Sequence, residues 1–395
     1  MSGFGSYRAL LRTPGAPALA FWGVAGRFPM AMRSIGCLLL VSAATGSLAD
    51  AGAVAAALMI SQGFAGPLLG RLADRLSQRR ILLVTCLLHA LGMTSLVASI
   101  VLRTPLWPQL VIAVATGLST ISMTSFLRAR WTALVDHGLL RTAYALESVL
   151  DEMIFLLGPL LVTLLASAVH PAAGLLACAA LTTVGSVVLA LHTRSEPAPG
   201  RGQERVIGVP GLRVLVVVYA GIGFLLGSVD VTMIAFARER SAPGLAGVFL
   251  ALTALGSLSA GLFYGAKDWR LSQSQLLSVT ACALTLGVLP LGFAGSPVVM
   301  AILAVVAGVS IAPVLIAGNS VLKSLSPQGS LAEGFSWLTS AEALGIALGA
   351  AVAGRLAELG GFAAAVWTAA GGGVVALGAS VAGQPALRAK ALERT

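Results

Sequence analysis

Seven ionisable side chains lie inside long apolar runs: Arg27 and Arg33 in GRFPMAMR, Glu147, Asp151 and Glu152 in LESVLDE, Asp230 in GSVDVT and Glu342 in TSAEAL. Charge is costly in an apolar medium, so such residues are read as functional first. Glu147 and Asp151 are four apart and share one helix face, and Glu152 lies about 100° round it. Several carboxylates so close in low dielectric cannot all stay ionised, which is the chemistry of proton coupling. Arg27 and Arg33 are six apart and point about 120° from one another, so they need different partners. The expected ion pair is Arg33 with Asp151 or Glu152. Asp230 falls late in its run and suits an extracellular gate or a substrate contact, and Glu333 precedes Glu342 near the start of its run.

Other chemistries lack their residues. No phosphate loop of the GxxxxGK[ST] type occurs, so nothing would hold ATP. His89, His137, His170 and His192 are scattered, Cys37, Cys86, Cys178 and Cys282 form no CxxC pair, and no metal site or cofactor is expected. A membrane-embedded enzyme would need catalytic polar groups clustered at one depth, and the sequence has none.

The elements that must position the seven charges are membrane helices. Of the 395 residues 57% are apolar and only 10% charged, with 46 glycines, against about 25% charged residues in a soluble domain. Disorder is excluded by the same figures. Apolar runs give twelve spans, at 17–43, 51–70, 81–102, 107–127, 143–169, 171–191, 213–237, 244–265, 273–294, 297–322, 333–354 and 360–383. The runs are too long, and alternate too little, for a β-barrel. The predicted fold is an all-α membrane protein of two six-helix bundles, residues 1–192 and 213–395, joined by the Pro/Gly-rich polar linker 193–212. The first span is expected to be retained rather than removed as a signal peptide.

The net charge of +10 is spread over short loops, which points to topology and not to nucleic acid. With the N-terminus inside, nineteen Lys/Arg fall in inner segments and four (Arg103, Arg238, Arg240, Arg355) in outer ones. The positive-inside rule then places both termini in the cytoplasm of a multi-pass cell-membrane protein. One offset, 191, relates Gly70 to Gly261, Tyr144 to Phe335, Ser148 to Thr339, Asp151 to Glu342 and Gly158 to Gly349. A duplicated unit with a central site is the plan of secondary transporters.

The sharpest local motif is GRLADRLSQRR at 70–80, between spans 2 and 3. There the chain resembles the major facilitator superfamily, whose loop runs G-x-L-a-D-r-x-G-r-[KR]. Gly70, Leu72, Ala73, Asp74, Arg75 and Arg79 match, while Ser77 and Gln78 depart from it. Gly70 would permit close packing, and Asp74 would sit at a helix N-terminus and pair with arginines, holding a cytoplasmic gate. The equivalent second-half loop keeps Gly261, Gly265, Lys267 and Arg270 without the Asp, so that half of the gate is expected to be weaker. The resemblance implies that spans 3, 6, 9 and 12 face lipid, spans 1, 4, 7 and 10 line the cavity, and spans 2, 5, 8 and 11 join the halves. The charges follow that plan.

Gly158-Pro159 matches part of the exporters' g-x-x-x-G-P-x-x-G-G signature and predicts a kink in span 5. Exporters also often carry an arginine within helix 4, whereas 107–127 has none and Arg128 and Arg130 follow at its inner end. The segments RARW at 128–131, AYALESVLDE at 143–152 and the start of span 11 resemble a group of actinobacterial sugar or drug efflux permeases. Gly345 and Gly349 form a GxxxG for close helix crossing. The expectation is a monomeric secondary transporter, not an enzyme. It would move a small amphipathic molecule by alternating access, by proton-coupled efflux. Uptake by proton symport or facilitated diffusion is the alternative on the same fold. The surplus of carboxylates over arginines points to a cationic substrate. Its partners would be that substrate, protons and the bilayer.

Overall fold

A computed structural model of the chain describes residues 5–192, 195–197, 206–242, 245–267, 269–327 and 330–388, without the side chains of 48, 49, 137, 152, 156 and 206. Most of the linker 193–212 and the side chain of Glu152 therefore lie outside the described residues. What is described is helical throughout, with no strand.

A short helix, α1 (Gly5–Arg12), precedes the first span, α2 (Ala16–Thr45). Then follow α3 (Leu48–Arg75), α4 (Gln78–Val101), a fourth span split into α5 (Leu106–Leu118) and α6 (Met123–Leu134), α7 (His137–Ala168) and α8 (Ala173–Leu191). The second half holds α9 (Pro210–Glu239), α10 (Leu245–Ala266), α11 (Gln273–Val288), a split tenth span α12 (Pro297–Gly308) and α13 (Ile311–Leu325), α14 (Leu331–Ala382) and α15 (Gln384–Arg388). Loops are short, and serines close the turns. Ser47, Ser77 and Ser296 each accept the backbone N–H three residues on, and Ser272 with Gln275 forms a capping box.

Among the described residues eleven helical stretches are long and apolar enough to cross a membrane, against twelve expected spans. The difference lies in α14, where 52 residues run through the eleventh and twelfth expected spans. Gly360 and Gly361 break it, and Gly361 has φ +73°, a left-handed conformation that glycine adopts without strain. Glu239 at the end of α9 accepts the Phe362 N–H at 2.6 Å and caps the second piece. With that break the fold has its twelve crossings in two six-helix bundles.

Both halves interrupt the same helix. The break after α5 and the break after α12 fall at nearly equivalent places, and Gly117 and Gly308 beside them are 191 residues apart, their missing side chains letting the Leu58 and Thr253 carbonyls approach. Tyr144 and Phe335, also 191 apart, meet edge-to-face with ring centroids 5.9 Å apart, so equivalent residues touch across the pseudo-twofold axis. Gly345 and Gly349 cross α9 closely, against the Ala220 and Phe224 backbone, and Gly223 and Gly227 answer from α9. The bundles join through α3 with α14 and through α7 with α10. Apolar side chains of α4 (Leu83, Val84, Leu87, Leu88) and of the last span (Trp367, Val374, Val375) point outward, as lipid-facing helices require.

Candidate functional site

The charges of the first bundle converge on Arg27. From α2, its Nη1 donates to Glu147 Oε2 at 2.7 Å and to Asp151 Oδ1 at 2.8 Å on α7. Its Nε donates to the Gly23 carbonyl at 3.1 Å, one turn back. Glu147 is fully buried, and its Oε1 also accepts the Trp131 indole N–H at 2.8 Å. Asp151 is the reachable member, with 16% of its side chain exposed. Arg128 on α6 reaches Asp151 Oδ2 at 3.5 Å and Asn319 Oδ1 on α13 at 3.4 Å. Tyr219 on α9 points its hydroxyl at the same Asn319 oxygen, at 3.0 Å. A charge-balanced cluster of two arginines and two carboxylates in one bundle is thus tied to an amide of the other.

Two expectations need correction. Arg27, not Arg33, is the partner of Glu147 and Asp151, because it faces α7 while Arg33, 120° round α2, faces α3 and donates to Gln62 Oε1 at 3.0 Å. An arginine does lie within helix 4. The polar stretch Ser119–Ser122 interrupts the span without ending it, so Arg128 and Arg130 fall inside Leu106–Leu134 and are buried. Among the described side chains of this cluster two arginines, Arg27 and Arg128, face two carboxylates, Glu147 and Asp151, while the Glu152 side chain lies outside the described residues.

Asp230 is exposed on α9, and Glu342 is half-buried on α14 with its backbone against Gly223. Neither makes an ion pair with the Arg27 cluster among the described residues. Gly158 sits against Ala31, where a side chain's first carbon would be 2.6 Å away, and α7 runs unbroken through Pro159. These two residues let α7 approach α2 and so bring Glu147 and Asp151 to Arg27.

A second site seals the end that carries α1 and α15. Asp74, buried at the end of α3, accepts the backbone N–H groups of Ala332 (3.1 Å) and Glu333 (2.8 Å), the first turn of α14. Its negative charge meets unsatisfied donors and the positive end of the helix dipole. Gly70 permits this, since a side chain there would come within 2.6 Å of the Ala332 carbonyl oxygen. Arg75 and Arg79 are exposed, and the Arg79 backbone N–H donates to Glu196. The arginine at the seal is Arg71, whose Nε lies 3.9 Å from Glu333 Oε2.

The second half repeats this place in neutral form. Gly265, 191 residues after Asp74, accepts the Thr142 hydroxyl at 3.0 Å, and Thr142 is 191 residues before Glu333. Tyr7 of α1 adds a bond to the Leu262 carbonyl at 3.1 Å, and burial pushes its phenol up to about 12, so it stays a donor. Deeper, Ser340 donates to the Gly63 carbonyl at 2.8 Å and Ser125 meets Thr339 at 3.2 Å.

A model of the Major Facilitator Superfamily matches residues 18–266. The chain belongs to the major facilitator superfamily. It is a transporter and not an enzyme. The fold of this superfamily member is shared by solved structures with low identity. The human organic anion transporter MFSD10 (TETRAN) is 18% identical, with a TM-score of 0.70 over 92% of this chain and 98% of that one. A bacterial homologue of the iron transporter ferroportin, in an outward-facing state, is 15% identical with a TM-score of 0.72 over 92% and 98%. A variant of the E. coli fucose:proton symporter FucP is 15% identical with a TM-score of 0.69 over 92% and 96%. No curated protein matches the sequence of this superfamily member.

Sequence reasoning missed Trp131 and Arg128 as members of the Arg27 cluster. The signal was the segment RARW, four residues that read as a loop because span 4 was ended at residue 127.

Proposed function

We propose that this secondary transporter exports a small amphipathic molecule in exchange for protons, with the Arg27–Glu147–Asp151–Arg128 cluster as the coupling site. The carrying observation is that Arg128 holds both Asp151 and Asn319 of the opposite bundle. A proton on Asp151 removes the charge that holds Arg128 and leaves the cluster with one excess positive charge. In low dielectric that excess is far more costly than in water, so protonation favours rearrangement of the contact between bundles. Glu147, buried and bonded to Trp131 and Arg27, keeps Arg27 in place meanwhile. Asp74 of α3 against the start of α14, and Gly265 against Thr142, form the gate at the basic end, which we place in the cytoplasm from the Lys/Arg distribution. The export direction is supported by the Gly158-Pro159 signature and by the resemblance to efflux permeases. We place the transporter in the cell membrane as a monomer, with the bundles divided at the 193–212 linker.

The test is the lumenal pH of proteoliposomes holding the purified protein under an imposed proton gradient, screened with amphiphilic compounds. Compound-dependent proton flux that disappears in Asp151→Asn is expected. Compound movement without proton flux, unchanged in Asp151→Asn, would make the chain a uniporter and the cluster structural.

A further inference from the structure

Asp230 differs from the carboxylates of the Arg27 cluster. Its side chain is exposed, and among the described residues it makes no ion pair and no hydrogen bond. Further along α9, Arg240 lies over the Phe236 ring at 5.2 Å and Glu239 caps the last span, so neither is turned to Asp230. Asp230 stands nine residues, about 14 Å, before the end of α9. A carboxylate at that depth cannot face hydrocarbon, so its exposed side faces an aqueous gap.

The helix face says which gap. Tyr219 is eleven residues earlier, three turns to within about 20°, so both side chains leave α9 on one face. Tyr219 uses that face to reach Asn319 Oδ1 at 3.0 Å, the oxygen that Arg128 of the first bundle also holds. The face therefore looks to the junction of the bundles. Among the described residues, the hydrogen bonds across that junction run from the sealed end as far as Gly63 with Ser340 and Arg128 with Asn319, and go no further. Gly70 and Gly66 of α3 face Ser336 and Ser340 of α14. Continued by helical turns, the same two stripes reach Met59 and Ala56 on α3 and Leu344, Ala347 and Ala351 on α14, all exposed. The two helices that close one half of the junction have parted in the other, and Asp230 lies on the junction face of α9 in that open half.

The wall around the carboxylate is apolar, with Leu226 and Ile234 one turn to either side on α9. An unpaired negative charge in an apolar wall of a wet cleft complements a molecule with one positive group and an apolar body. Position 39, which is 191 residues earlier, holds Leu, so the duplicated fold does not require this charge. We propose that Asp230 binds the cationic group of the transported molecule, which is an amphipathic organic amine. The proposal rests on the reading of the chain as a transporter of a small amphipathic molecule and adds its charge. It does not depend on proton coupling or on direction.

The full-length purified protein in lipid nanodiscs is titrated with matched probes that differ in charge, benzylamine against benzyl alcohol and monodansylcadaverine against its N-acetyl derivative. The amine of at least one pair should bind at least about tenfold more tightly than its neutral partner, as a charge-assisted bond requires. Asp230→Asn should lose that preference with neutral-probe affinity unchanged, and Asp230→Glu should keep part of it. Equal binding within both pairs, binding of no probe, or a preference that survives in Asp230→Asn overturns the proposal. Size-exclusion profiles and thermal unfolding check that both variants fold. The placement is tested separately, with the four native cysteines replaced by serine. Asp230→Cys should react with a charged, water-soluble methanethiosulfonate, while Trp367→Cys on the lipid-facing last span should not. An unreactive Asp230→Cys overturns the proposal as well. An amine preference without proton flux would defeat the coupling scheme and leave the Asp230 site standing, whereas proton flux without an amine preference would do the reverse.

Discussion

Removal of the Asp74 carboxylate should unseal the basic end. The side chain accepts two backbone N–H bonds from the first turn of α14 and places a negative charge at that helix's positive end. A capping carboxylate replaced by Ala costs about 0.5–2 kcal/mol. The charge–dipole interaction adds up to about 2 kcal/mol where partly buried. Asp74→Ala should therefore weaken the sealed state by up to about 4 kcal/mol, which is as much as roughly 1,000-fold in the ratio of sealed to open molecules. Asp74→Asn keeps one acceptor and loses the charge, so its effect should lie between wild type and Ala. The Arg71–Glu333 pair is long at 3.9 Å and Arg71 is a quarter exposed, so Arg71→Gln should cost at most about 1 kcal/mol. Spin labels on Arg80→Cys and Ser324→Cys, in a background with the four native cysteines replaced by serine, report the separation of the bundles at that end. Double electron–electron resonance should show the longer distance growing in the order wild type, Asn, Ala. Distance distributions that are identical in wild type and Asp74→Ala, or an Arg71→Gln effect larger than that of Asp74→Ala, would refute the reasoning.

Three further outcomes follow from the packing. Gly70→Ala places a carbon 2.6 Å from the Ala332 carbonyl oxygen, so α3 and α14 must separate and the same label pair should move apart even with Asp74 intact. Glu147→Gln leaves Arg27 short of one charge in a fully buried site, and thermal unfolding should show a loss of about 3–5 kcal/mol. The double change Arg27→Met with Glu147→Leu should recover most of that stability while proton-coupled flux stays absent, because a buried pair replaced by apolar groups costs little. Gly361→Ala forces a side chain into φ +73° and within 2.8 Å of Glu239 Oε1, so it should lower the unfolding temperature by an amount equivalent to about 1–2 kcal/mol without changing substrate affinity.

Apolar run length determined the helical membrane class and the count of crossings, because a 30 Å hydrocarbon layer demands about 20 apolar residues whatever surrounds them. The 191-residue offset was equally legible, since duplication leaves residue types in register: Asp74 with Glu333 and Gly265 with Thr142 are the same joint built twice. That seven charges inside apolar runs mattered could also be read directly, because burying a charge is expensive in any fold. Their partners could not. Arg27 and Arg33 are indistinguishable as residues six apart on one helix, and only the placement of α7 against Ala31 through Gly158 sends Glu147 and Asp151 to the first of them. The end of span 4 was misread because polarity and backbone geometry disagree there. Ser119–Ser122 interrupts a span that continues and so buries Arg128, Arg130 and Trp131, whereas the boundary between the last two spans does fall at Gly360–Gly361. Long-range choices of this kind depend on which faces pack together, and packing energy is a property of pairs of helices that no single segment contains.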